Sequence, residues 1–152
     1  MTQVDITLLK KLRNETEVSL ADCRKALEET NNDYDKAKAW LKKHGLEKAA
    51  KKSDRETKQG LVETYVHMGR VGSMVEIQCE TDFVARTDDF KKLAHEVAMQ
   101  VASMKPKDVK ELLKQEYIRD SSMTIENMVK QTIAKLGENI VINRFQRFEI
   151  GE

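Results

Sequence analysis

Gly60-Leu61-Val62-Glu63-Thr64-Tyr65-Val66-His67-Met68-Gly69-Arg70-Val71-Gly72-Ser73-Met74-Val75-Glu76-Ile77-Gln78-Cys79 is the stretch where the period of the chain changes. Leu61, Glu63, Tyr65 and His67 alternate with Val62, Thr64, Val66 and Met68, and Met74 to Cys79 alternates again. Period two on both sides of the turn Gly69-Arg70-Val71-Gly72 predicts a β-hairpin. Beyond it the helical period dominates. Phe90, Leu93, Ala94, Val97, Ala98, Val101 and Ala102 share one face of a long helix, which Lys105-Pro106 stops. Leu112 to Ile118 is ambiguous. From Ile125 a second stripe runs through Met128, Val129, Thr132, Ile133 and Leu136 and ends at Gly137. Asn139 to Ile150 alternates once more and predicts a third strand. Strands packed against amphipathic helices make this part of the chain α+β.

Upstream, three short helices are predicted. Ile6, Leu8, Leu9 and Leu12 line the first. Ser19 is a good N-cap for the second, with Asp22 favouring its exposed amides and Leu20, Cys23, Ala26 and Leu27 as its stripe. Asn31-Asn32 signals a turn, because asparagine tolerates left-handed backbone. Asp33 caps the third helix, whose stripe is Ala37, Trp40 and Leu41 and whose end is expected at His44-Gly45. Lys48 to Gln59 is almost wholly polar and reads as a linker, with partial helix as an alternative, and its Lys/Arg residues read as a solvated tether. The predicted organisation is a three-helix domain over 1–46, a linker over 47–59 and an α+β core over 60–152.

A chain of 152 residues, 39% of them hydrophobic, buries a real core. Lys+Arg is 27 against Asp+Glu 26, and the resulting net charge of +1 argues against a general polyanion binder. No apolar run approaches the roughly 18 residues of a membrane span. Met1-Thr2-Gln3-Val4-Asp5 lacks a basic region before an apolar one, so no secretory signal is expected. Cys23 and Cys79 belong to no Cys/His cluster and read as two reduced, partly buried thiols of a cytoplasmic protein rather than metal ligands. His44, His67 and His95 match no ligand spacing. The chain carries no phosphate-cradling glycine loop, no nucleophile elbow, no HExxH and no EF-hand loop. No enzyme chemistry is therefore expected.

Thr81-Asp82-Phe83-Val84-Ala85 lies between a predicted strand and a predicted helix, at a surface corner. Thr81 and Asp82 suit a helix start. For Phe83 the simpler expectation is that the ring folds into its own core, which is worth about 1.5–3 kcal/mol. The alternative is an exposed aromatic anchor for a partner's pocket.

This segment and its surroundings resemble the translation elongation factor Ts family, the guanine nucleotide exchange factors of elongation factor Tu. Leu12-Arg13 with Asp22-Cys23-Arg24-Lys25-Ala26-Leu27 is similar to the family's N-terminal signature, and Lys48-Ala49-Ala50-Lys51-Lys52 to its linker. Cys79-Glu80-Thr81-Asp82-Phe83-Val84-Ala85-Arg86 is similar to its most specific motif. Lys135-Leu136-Gly137-Glu138-Asn139-Ile140 is similar to its C-terminal motif, and Arg144-Phe145 with Phe148-Glu149 to the strand that follows.

The resemblance implies an N-terminal ubiquitin-associated-like three-helix domain and a core with a three-stranded antiparallel sheet packed on helices. It implies that Asp82-Phe83, flanked by Thr81 and Val84, enters the GTPase domain of Tu and disturbs its Mg²⁺ and phosphate site. It further implies Tu contacts at Leu136-Gly137, at Lys52, and at Arg13, Leu20, Ala21 and Arg24, where Leu20-Ala21 replaces a Met-Met pair common in the family. Nucleotide-free Tu would be the preferred partner. The interval after Lys105-Pro106 is shorter than in longer members, which raises a homodimer as a way to complete the core. No cofactor, no metal, no membrane and no direct nucleic-acid binding are expected, and the place of action is cytoplasmic. A scaffold that binds Tu without driving exchange is the alternative. RNA binding through Lys48 to Lys58 is disfavoured by the near-neutral charge, and ubiquitin binding would rest on fold analogy alone.

Overall fold

The computed structural model describes residues 3–152. Met1 and Thr2, part of the segment not expected to be a secretory signal, lie outside the described residues. Three helices come first: α1 (Ile6–Thr16), α2 (Leu20–Glu29) and α3 (Tyr34–Ala50). Each start is chemically specified. The side chains of Asp5, Ser19 and Asp33 accept hydrogen bonds from first-turn amides, which satisfies donors with no partner inside the helix. Asn31 and Asn32 both take positive φ in the turn between α2 and α3. Leu12, Cys23, Ala26, Leu27, Ala37 and Leu41 form one small buried cluster, with Trp40 packed at its margin. Ile6 and Leu20, predicted on the apolar stripes, are instead exposed. Each opens its helix, beyond the reach of the facing helices.

The third helix does not end at His44-Gly45. It continues to Ala50, so residues 47–50 of the predicted linker are helical. A Cβ built on Gly45 would stand 3.2 Å from Ala134 Cβ. Gly45 is thus a point of close approach between helices rather than a cap. A glycine in a helix interior costs about 1 kcal/mol relative to alanine, which the closer packing offsets. Ala49, one turn further on, already belongs to the buried cluster of the core. The remaining linker is not a free tether either: Asn139 Nδ2 donates to the carbonyls of Ser53 at 3.3 Å and Arg55 at 2.8 Å.

The predicted hairpin is β1 (Gln59–His67) and β2 (Val71–Cys79), paired antiparallel with His67 opposite Val71. Its tight turn is Met68-Gly69, both at positive φ, with the Arg70 amide donating to the His67 carbonyl at 3.0 Å. This is the pattern whose twist matches flanking strands. After one helical turn, α4 (Asp82–Ala85), the chain enters α5 (Asp88–Met104). Every apolar position predicted for the α5 stripe is buried, and Lys105 at positive φ ends it.

The ambiguous stretch resolves into α6 (Val109–Lys114) and a two-residue strand, β3 (Glu116–Tyr117), paired with β4 (Asp120–Thr124) in a separate small ribbon. Buried Gln100 fixes it: its amide donates to the Glu116 carbonyl at 3.0 Å and accepts from the Ile118 amide at 3.0 Å. Then follow α7 (Ile125–Leu136) and β5 (Ile140–Glu149). The main sheet runs β1-β2-β5, all antiparallel, with a bulge in the β2–β5 pairing at Glu76/Ile77. Val75, Ile77, Cys79, Ile140 and Ile142 point inward onto α5 and α7. The fold is α+β: three N-terminal helices, then a core with a three-stranded antiparallel sheet packed on helices. No described helix is long and apolar enough to cross a membrane.

Candidate functional site

The strand β2 delivers Cys79 into the core and turns the chain outward at Glu80-Thr81. Thr81 is the N-cap of α4, its hydroxyl accepting from the Val84 amide at 3.4 Å. A single turn of four residues has no stability of its own, so its surroundings set its direction. Ala85 is buried and Val84 is packed against the core. Phe83 points the other way and is 77% exposed. The expectation that this ring folds into its own core is therefore overturned. Three of the four side chains of one turn cannot face inward, and Val84 and Ala85 occupy the inward face. Asp82 pairs with Arg86 at 2.9 Å across one turn.

The C-terminal motif lies beside this corner. Gly137 takes φ 79 at the end of α7, a conformation glycine adopts without a Cβ clash, and this swings Glu138 back toward Thr81. The Glu138 carboxylate accepts from the Glu80 amide at 3.1 Å, the Thr81 amide at 3.0 Å and the Thr81 hydroxyl at 2.6 Å. Reciprocally, the Glu80 carboxylate accepts from the Asn139 amide at 2.7 Å and lies 3.5 Å from Arg55. Leu136 is partly buried against the core and Gly137 is exposed. Lys135 bridges Asp89 at 3.0 Å and Glu17 of the N-terminal helices. Burial of Lys135 works to lower its pKa, but those two carboxylates outweigh it and the net shift is upward. Burial, with the Glu138 charge beside it, pushes the Cys79 thiol up to about 11. Its proton is donated to the Thr81 carbonyl at 3.1 Å, so this cysteine is a packing group and not a nucleophile.

Segment 135–139 thus brings together the corner 81–84, the chain around Lys52 and the N-terminal helices. Lys52 is half-buried in the turn after α3. Arg13, Leu20, Ala21 and Arg24 are all exposed, and Arg24 is held along α2 by Glu28 at 3.0 Å. None of these four bonds to the corner. Sequence reasoning singled out Leu136-Gly137 and missed Glu138 and Lys135 as the groups that tie the segments together. The only signal for them was their place inside the C-terminal motif.

Comparison with known proteins matches the same segments. The family profile "Elongation factor Ts, mitochondrial, N-terminal" covers residues 1–51, and "Elongation factor TS" covers residues 80–152. The chain is similar to elongation factor Ts of Coprothermobacter proteolyticus, 41% identical over 196 aligned positions that include 99% of this chain and 100% of the relative. It is 41% identical over 199 positions to elongation factor Ts of Picosynechococcus, covering 100% of this chain and 91% of the relative. It is 39% identical to the chloroplastic elongation factor Ts of Rhodomonas salina, covering 99% and 90%. The aligned lengths exceed the 152 residues here, so these relatives carry segments this chain lacks. Matching across both the helical and the sheet-bearing parts, the chain belongs to the elongation factor Ts family.

Proposed function

We propose that this protein is a guanine nucleotide exchange factor that binds elongation factor Tu carrying GDP and speeds release of the GDP. Family membership supports the role, and the exposure of Phe83 supports the mechanism. A phenyl ring held outward on a corner anchored at both ends is an anchor for a partner's pocket. Tight GDP binding rests on Mg²⁺ and on backbone amides around the phosphates. Phe83, with Asp82 beside it and Thr81 and Val84 flanking, enters the GTPase domain of Tu and displaces the groups that hold the metal and the phosphate. Burial of the ring in the partner, worth about 1.5–3 kcal/mol, offsets part of that distortion. Linkage makes the effect reciprocal, so the factor prefers nucleotide-free Tu and incoming GTP expels it. Leu136-Gly137 supplies a second contact beside the first. Arg13, Leu20, Ala21 and Arg24 on the helical unit, with Lys52, extend the surface. No covalent step is involved. The setting is the translating cytoplasm.

The test is Phe83→Ala with a fluorescent GDP analogue on Tu. Because the ring is exposed, stability should change by no more than about 0.5 kcal/mol. GDP release should slow by at least ~10-fold, the equivalent of about 1.4 kcal/mol of lost transition-state contact. A wild-type rate would exclude the wedge, and tight binding of the wild-type factor without faster release would favour the scaffold.

We also propose that two copies associate through the outer face of the sheet. Val66 and Phe148, 67% and 75% exposed, flank Gly72 on the three strands in register, with Val62 and Met74 beside them. Two such faces can stack about 10 Å apart.

A further inference from the structure

We infer that Glu138 is a positioning residue for exchange: its carboxylate holds the Thr81 corner so that Phe83 is presented to the partner in one fixed direction. This rests on the exchange-factor reading above. Ala85 and Val84 seat the one-turn helix α4 on the core and turn Phe83 outward, but two contacts on a single turn leave it free to pivot about them. What stops the pivot is one carboxylate that accepts from two consecutive backbone amides and from the N-cap hydroxyl itself. Hydrogen bonds to a charged acceptor are about twice as strong as neutral ones. The lock is mutual, since Glu80 holds the Asn139 amide in return. Two like charges face each other across this junction, an arrangement that the amide donors and Arg55 on Glu80 make tolerable. Leu136-Gly137 immediately precedes Glu138, so both proposed core contacts with the partner are joined through this one side chain. A pre-ordered corner binds without first losing loop entropy, which is where pre-organisation gains affinity.

Glu138→Gln tests this: its single neutral oxygen can stand in for Oε2, which takes both backbone amides, or for Oε1, which takes the Thr81 hydroxyl, but not for both, and the charge that strengthens all three bonds is gone. Amide hydrogen exchange at Glu80 and Thr81 should accelerate by at least ~10-fold, while the amides of β2 and α5 keep their protection. GDP release from Tu at sub-saturating factor should slow by ~10-fold. In a double-mutant cycle, Glu138→Gln on top of Phe83→Ala should slow release no further, since Glu138 acts through the ring. Unchanged protection at positions 80 and 81, or losses that multiply in the double variant, overturns the inference. If Phe83→Ala releases GDP at the wild-type rate, the wedge itself is wrong, and protection at 80 and 81 still decides whether Glu138 holds the corner. If Glu138→Gln fails to fold, Glu138→Asp, which keeps the charge and withdraws it by one methylene, should show the same pattern at smaller size, and wild-type behaviour of that variant overturns the inference.

Discussion

Gly60 shows how one missing Cβ sets a register. It sits opposite Gln78 at the start of the hairpin, at φ 152. A Cβ there would stand 2.1 Å from the Ile77 carbonyl oxygen and 2.8 Å from the Gln78 Cα. Both obstacles are backbone of the central strand and cannot swing away. Gly60→Ala should therefore destabilise the protein by about 2–4 kcal/mol, the sum of backbone strain and overpacking, read as a lower urea midpoint with little change in slope. A shift below 1 kcal/mol would mean that the strand start is free to move. Phe83 is the opposite case, a large side chain whose removal should leave stability alone and change only what happens at a partner. Sequence composition could not separate these two outcomes for an aromatic residue, because the direction of Phe83 depends on Ala85 and Val84 taking the inward side.

Among elements, the three-helix unit rests on few contacts, and one of them is pH-dependent. Asp22 accepts from Ser19 at 2.8 Å and from Lys48 at 2.7 Å, joining the start of α2 to the far end of α3. Burial works to raise the Asp22 pKa, but the bonds from Lys48 and Ser19 outweigh it and hold the carboxyl below its ordinary value. The folded pKa therefore lies below the unfolded one. Its stabilisation is fully present above about pH 4, the unfolded carboxylate value, and is lost as pH falls through the lower folded value. Asp22→Asn should lower stability at neutral pH and flatten the stability curve below about pH 4. A variant with the same acid limb as wild type would show that the bond contributes nothing. The helix caps at Ser19 and Asp33 were legible beforehand, since a cap needs only residues within one turn. The extent of α3 was not, because the reason for a glycine inside the helix, the close approach of Ala134, comes from another element.

At the scale of the whole molecule, α3 is the connector. It starts in the small helical cluster and ends with Ala49 in the core, while Lys135 ties Glu17 to Asp89 across the same junction. Between the two units lies a cleft of about 670 Å³ with Leu41, Met123 and Met128 among its lining residues. The other open surface is the outer sheet face. If a second copy covers it, wild-type protein should sediment as a dimer at micromolar concentration, and Val66→Lys with Phe148→Glu should sediment as a monomer with an unchanged circular dichroism spectrum. A wild-type monomer at all concentrations would rule the association out. The alternation of β1 announced two faces, one bearing Leu61 and Tyr65, the other Val62 and Val66. Both are apolar, so the pattern could not say which faces α5.

Sequence alone determined what depends on near neighbours: the change of period at Gly60, the stripes of α5 and α7, the caps, the turn at Asn31-Asn32, and the four motifs in order. These are short-range because helix and strand geometry repeat within a few residues. Only the tertiary structure decided that Phe83 faces solvent, that Gly45 lies inside a helix, and that Glu138 grips Thr81 from 57 positions away. Each of those depends on a surface supplied by a distant part of the chain, and the identity of a hydrogen-bond partner that far off leaves no periodic trace in the residues themselves.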